Sequence, residues 1–180
     1  MNHKTLNLTY MALGAVLIAV CSWISIPTMV PFTMQTFAVF LVLLLLGGKC
    51  GTGAILIYIL LGAAGVPVFA HFTAGIGILL GSTGGYIAGF LFTGVIYWMM
   101  ETVFGKNRWV EVIALIVGTA VLYAFGTAWF LFVYARTTGS IGVMTALASC
   151  VFPFIVPDLM KMFLAFILAR RLAPAVRAVF

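Results

Sequence analysis

Charged residues sit at the ends of long apolar runs in this chain, and that spacing constrains its fold more than anything else. Apolar residues make up 65% of the sequence and charged residues only 7%, whereas a soluble domain carries about 25% charged residues. Too few polar side chains remain to cover a water-facing surface. The expected fold class is therefore an all-α membrane protein, a single integral domain over residues 1–180 with no room for an added soluble unit. The formal net charge of +6 does not point to nucleic acid, because the basic residues flank apolar runs and form no soluble patch.

Six spans are expected, at roughly 10–26, 33–48, 53–70, 83–100, 109–134 and 154–173. A straight span needs about 20 residues. The second and third are short or interrupted, by Pro31 ahead of one and by Gly62, Gly65 and Pro67 in the other. Irregular backbone at membrane depth is tolerated where it is buried in protein or lines a cavity, and in transporters it often marks the substrate site. The first apolar run reads as a retained span rather than a signal peptide, since no polar mature region follows a cleavage site.

Six spans put both termini on one side. Lys4, Lys49, Lys106, Arg108, Arg170, Arg171 and Arg177 fall on that side, and Arg136 alone falls opposite. The positive-inside rule makes the terminal side cytoplasmic. A seventh span from 141–152 would carry the C-terminal arginines outside, so that stretch is expected to be a loop. The outward loops 25–32, 66–82 and 135–153 are apolar or glycine-rich, so they are expected to fold back into the mouth of the bundle and form an outward-facing cavity.

Asp158 and Lys161 stand inside the last apolar run, FPFIVPDLMKMFLAFILARR. A carboxylate and an ammonium at membrane depth are expensive and mark a functional site by default. Three residues apart on a helix, they share a face, with Lys161 about 4.5 Å deeper at 1.5 Å per residue. One reading is a helix-start carboxylate, following Pro157 at the first helical position, with a snorkelling or salt-bridging lysine. The other is a donor and an acceptor facing a cavity, suited to a small ligand with a polar head and an apolar body.

Other chemistry finds little support. Lys49 lies in LLLLGGKCGTG, but Leu43 stands where a phosphate-binding loop needs its first glycine and Cys50 replaces its Ser/Thr. His3, His71 and three scattered acids give no metal-ligand spacing and no paired carboxylates, so neither a metal nor a cofactor is expected. Cys21, Cys50 and Cys150 show no paired spacing. An intramembrane enzyme stays open as a lesser reading. The glycine-dense stretch 75–90 serves either close approach to a ligand or helix packing. Ala12, Ala15 and Ala19 form a small-residue stripe on the first span, for partner docking or for internal packing.

Four segments carry a likeness to a known family: PFTMQTFAVFLVLLLLG at 31–47, YILLGAAGVPVFA at 58–70, GILLGSTGGYIAGF at 77–90 and PFIVPDLMKMFLA at 153–165. With them the chain resembles BioY, the biotin-specific substrate-binding subunit (S component) of energy-coupling-factor transporters. The sequence departs from the family pattern at His71, Ala74, Ser82 and Pro157. The resemblance implies a six-helix S-component bundle in a prokaryotic plasma membrane, with an outward-facing vitamin site. It implies a transmembrane coupling subunit and two cytoplasmic ATPases as partners, and Ala15-x-x-x-Ala19 looks like the family's docking motif.

With biotin as the implied ligand, Asp158 is expected to accept a ureido N–H and Lys161 to meet the ureido carbonyl or the carboxylate. Gln35 is expected as a second polar contact. Thr83, Gly84 and Tyr86 would bring the 77–90 loop onto the ligand, and Arg136 would attract the carboxylate. A solitary biotin transporter and an S component for another small vitamin are the alternatives.

Overall fold

The structure is a computed structural model that describes residues 3–139 and 141–177, with side chains over 4–139 and 141–174. The side chain of Arg177, counted above among the cytoplasmic charges, lies outside the described residues. Along the chain come α1 (His3–Trp23), the short strands β1 (Ser25–Ile26) and β2 (Phe32–Thr33), and α2 (Gln35–Ala63). A 3-10 turn (Ala70–Phe72), α3 (Ile76–Leu80), α4 (Gly84–Phe104), α5 (Arg108–Thr137), α6 (Val143–Cys150) and α7 (Phe152–Arg177) complete it. Among the described residues, five helical segments are long and apolar enough to cross a membrane.

The six expected spans reconcile with five segments at Gly47. Its φ of 76° and ψ of 171° break α2 into two arms. The arms fold against each other: a Cβ on Gly51 would lie 3.0 Å from Leu43 Cα, and Gln35 Nε2 donates to Tyr58 Oη at 3.1 Å. Only glycine adopts this left-handed conformation without strain. At about 1.5 Å per residue the arms reach roughly 18 and 24 Å, short of a hydrocarbon core about 30 Å thick. The open ends of the hairpin are therefore sunk below the level of the longer helices.

The second arm stops at Ala63, earlier than the expected end at residue 70. Gly65, at φ 98°, turns the chain out, and Val66 N–H closes the end onto Leu61 O at 3.0 Å, as glycine beyond a helix end does. Residues 141–152 do not form a seventh span; they hold the short helix α6, which turns at Val151 into α7. Pro157 lies inside α7 rather than at its first position. Asp158 is thus in the second turn, beyond the reach of the helix-start explanation.

The hairpin of α2 is the hub. Helices α1, α4 and α7 pack on it, and α5 packs on α4. Glycines let the helices close up. A Cβ on Gly85 would strike Trp129, one on Gly89 would press on Leu122, and one on Gly126 would strike the Tyr86 ring. A Cβ on Gly84 would collide with the carbonyl of Leu79. In the glycine-dense stretch, packing accounts for Gly84, Gly85 and Gly89.

The alanine stripe needs correction. Ala15 is 2% exposed and Ala19 5%, so both are spent in the core, where α1 packs on α2; only Ala12 is exposed. Gly14 continues this buried seam, with Ala54 Cβ 3.0 Å from where its own Cβ would be. The outer face of α1 carries large apolar residues instead, including Leu8, Leu13, Val16 and Val20.

Charges gather at one end of the bundle. Glu101, near the end of α4, accepts a 2.6 Å hydrogen bond from Gly48 N–H at the hairpin tip and pairs with Lys106 at 3.2 Å. Beside it, Glu111 on α5 pairs with Arg170 on α7 at 2.8 Å. The opposite end holds the 24–34 hairpin, the 64–83 loop and a cavity beneath them.

Candidate functional site

The cavity forms where the short arms of α2 leave space that the longer helices do not. It encloses about 240 Å³. The end of β2 contributes Thr33, the start of α2 contributes Gln35 and Thr36, α7 contributes Asp158 and Lys161, and α5 contributes Tyr123. Tyr58, Tyr86, Ile87, Phe90, Leu122 and Phe154 make apolar walls. Val30 and Pro31 from the strand hairpin and Phe69, Ala70, His71 and Thr73 from the long loop lie over it. Two of the three loops expected to face outward, 25–32 and 66–82, fold back over the cavity as their composition predicts, whereas the 135–153 stretch reaches it only through Cys150 of α6.

Each covering loop has its own anchors. Strands β1 and β2 pair antiparallel, Ser25 opposite Thr33, and Met34 N–H reaches Ile24 O at 3.1 Å. The 64–83 loop is tied to the end of α1: Trp23 Nε1 donates to Pro67 O at 3.0 Å and Ser22 Oγ to Val68 O at 2.5 Å. The Phe69 ring fills the space left by Gly62 and meets the Tyr58 ring edge-on at 5.6 Å. On the far side, Trp129 Nε1 donates to Gly81 O at 2.9 Å.

Asp158 and Lys161 are 3% and 6% exposed, with Nζ 2.9 Å from Asp158 Oδ1. Burial of this depth is tolerated only when both charges are fully hydrogen-bonded. Lys161 spends all three of its protons: on Asp158 Oδ1, on Thr33 O at 2.7 Å and on Thr36 Oγ1 at 3.1 Å. Its ammonium also lies 4.1 Å from the centre of the Phe32 ring, a favourable cation–π placement. Thr36 Oγ1 donates to Asp158 Oδ1 at 2.9 Å, and Tyr123 Oη donates to Asp158 Oδ2 at 2.5 Å. A carboxylate has about four lone-pair sites; two protein donors reach Oδ1 and one reaches Oδ2, so Oδ2 can accept one more bond.

Chemically, the site is a balanced ion pair with a free acceptor direction on Asp158 Oδ2, in a chamber whose surface is mainly apolar. It suits an uncharged N–H donor. A second carboxylate beside Asp158 would add an uncompensated charge in a low-dielectric space.

Of the residues expected from sequence, Asp158, Lys161, Gln35, Thr83 and Tyr86 line this cavity. Tyr86 Oη pairs with Thr127 Oγ1 at 3.0 Å. Gly84 and Arg136 are not among the lining residues. Gly84 is held against Leu79, and the exposed Arg136 guanidinium rests 4.1 Å above the Phe132 ring at the end of α5. Thr33, Thr36, Tyr58 and Tyr123 were not anticipated. Thr33 and Thr36 flank Gln35, so the segment around it was the available signal; Tyr123 gave none beyond a phenol in an apolar run.

The BioY family model matches residues 1–178. "Biotin transporter BioY" of Thermotoga maritima is 38% identical over 157 residues, 87% of this chain and 89% of that protein. "Probable biotin transporter BioY" of Pyrococcus horikoshii is 40% identical over 170 residues, 94% of this chain and 97% of that protein. In three dimensions the chain is similar to a crystal structure of the S-component for biotin from an ECF-type ABC transporter. The TM-score is 0.81 at 27% identity, covering 95% of this chain and 92% of that one. A sequence match over almost the whole length and a shared helical architecture agree: the chain belongs to the BioY family, whose named members here are transporters rather than enzymes.

Proposed function

We propose that this protein is the biotin-binding S component of an energy-coupling-factor transporter in a prokaryotic plasma membrane. The observation that carries the reading is the buried Asp158–Lys161 pair at the base of an apolar cavity. Biotin presents a neutral ureido head with two N–H donors, an apolar ring and a carboxylate tail. The ureido group enters first and donates an N–H to Asp158 Oδ2. The Lys161 ammonium meets the ureido carbonyl only by exchanging one of its present acceptors, with Thr33 O or Thr36 Oγ1 as the partner released. The tail carboxylate stays away from Asp158 and points to the mouth. Gln35, Thr83 and Tyr86 complete the polar contacts, and charge-assisted bonds here contribute about 1.5–3 kcal/mol each.

The basic end faces the cytoplasm and the cavity faces outward, following the distribution of Lys and Arg. The transmembrane coupling subunit and two cytoplasmic ATPases supply the energy, since the glycine segment at Lys49 lacks the residues of a phosphate-binding loop. The partner face includes Ala12 at most from the alanine stripe.

Biotin binding to the purified chain tests the reading, with Asp158→Asn and Lys161→Ala beside it. Affinity unchanged in both variants would sink the assignment, and a preference for another vitamin would move it to that ligand. Uptake in cells lacking the ATPases tests the energy source: concentrative uptake by this chain alone would favour a solitary transporter.

A further inference from the structure

Two cavity-lining residues can carry positive charge, Lys161 and His71. They differ in depth and in commitment. Lys161 is 6% exposed, is balanced by Asp158 and has no proton to spare. His71 is exposed at the mouth, so the two mark the closed and open ends of the same chamber.

The backbone at His71 is held in an unusual state. His71 has φ 57° and Phe72 φ 58°, successive non-glycine residues in the left-handed region. A side chain in this region is strained, and such strain clusters at ligand clamps. Several contacts maintain it. The Phe72 ring stacks on Trp23 at 4.9 Å between centroids, Trp23 is tied to Pro67 O, and His71 Nδ1 lies 2.8 Å from Ser25 Oγ. The last bond joins the two covering loops. When Ser25 Oγ donates to Nδ1, the ring proton sits on Nε2, and in the imidazolium Nε2 carries a proton as well. Nε2 is then a donor in either charge state.

We infer that His71 Nε2 is the contact for the carboxylate tail of the ligand and gives this protein its preference for an anionic tail. The inference rests on the biotin reading above. A neutral head at Asp158 and an anionic tail at His71 use both ends of the cavity and leave no buried charge unmatched.

The test compares biotin with its carboxamide, which keeps the ureido head and loses the tail charge. Affinities are measured at one pH on the purified chain in lipid nanodiscs. The wild-type protein prefers biotin over the amide by about two- to fivefold, the scale of an exposed charge contact. His71→Asn keeps a residue that tolerates the left-handed backbone; it abolishes the preference by weakening biotin while leaving the amide unchanged. His71→Arg restores the preference. If the biotin-to-amide ratio in His71→Asn equals that of the wild type, or if the wild type binds both alike, the tail contact is wrong and the biotin reading stands. Loss of both ligands in His71→Asn also overturns it, because the residue would then serve only the loop. If the wild type binds neither, the biotin reading falls and takes this inference with it.

Discussion

The three acidic residues of this chain each sit within ion-pair distance of a basic one, yet the two ends of the bundle use that pairing differently. At the cavity, Asp158–Lys161 is separated by 2.9 Å with side chains 5% and 7% exposed. At the charged end, Glu101–Lys106 and Glu111–Arg170 are 3.2 and 2.8 Å apart, but Lys106 is 63% and Arg170 43% exposed. Distance therefore does not distinguish them; desolvation does. An exposed pair contributes about 0–1 kcal/mol. A buried one gains strong attraction but pays for losing water, so it persists where something else needs it. The exposed pairs lie at the charged end of the bundle, and in the function proposed above the buried pair is the one that meets the ligand.

Breaking one half of the buried pair gives the largest expected effect. Asp158→Asn strands a buried ammonium, and Lys161→Met strands a buried carboxylate. Each lowers stability by about 3–5 kcal/mol and removes biotin binding, read by unfolding in detergent and by ligand titration. The double variant sharpens the point. With both charges gone, no buried charge is left unpaired and stability returns toward the wild-type value, while biotin binding stays absent. Single variants as stable as wild type would mean that the pair is solvated, and the contrast between the two ends would collapse.

Tyr123→Phe comes next. It deletes the one bond to Asp158 Oδ2 and leaves the ring that forms the wall. A hydrogen bond to a charged group is worth about 1.5–3 kcal/mol; part is regained when Oδ2 takes a second ureido proton or water. Biotin affinity should fall about tenfold, with the lysine pair intact. An unchanged affinity would show that Asp158 is positioned by Thr36 and Lys161 alone.

How much of this could be read from sequence depends on the cost of misplacing each residue. Asp158 and Lys161 stand out because a charge in an apolar run has few tolerable explanations. Thr33, Thr36 and Tyr123 do not: Thr33 meets Lys161 through a backbone carbonyl that every residue has, and the hydroxyls of Thr36 and Tyr123 reach Asp158 from 122 and 35 residues away. The hairpin of α2 was legible as two short spans, although the residue that reverses it, Gly47, is one glycine among several. The alanine stripe misled because small residues suit internal and external packing equally, and spacing alone does not say which face meets α2. Arg136 falls opposite the cytoplasmic charges in sequence, but α5 ends with the guanidinium over Phe132 rather than over the cavity.

The smallest expected effect belongs to Arg170→Ala. Arg170 reaches Glu111 from α7 to α5, and its guanidinium also lies 4.7 Å from the centre of the Phe166 ring. Its removal should cost about 1 kcal/mol or less, and the charge-dependent part should vanish near 1 M salt, where the screening length is about 3 Å. Biotin affinity should not change. The variant matters because the same two helices, α5 and α7, are also joined by Tyr123–Asp158 at the cavity. If Arg170→Ala weakened biotin binding as much as Tyr123→Phe does, the two links would form one mechanical seam. The charged end would then set the geometry of Asp158, and its pairs could no longer be read as topogenic charge alone. An unchanged affinity keeps the ends independent, with the ligand sensed only where the charges are dry.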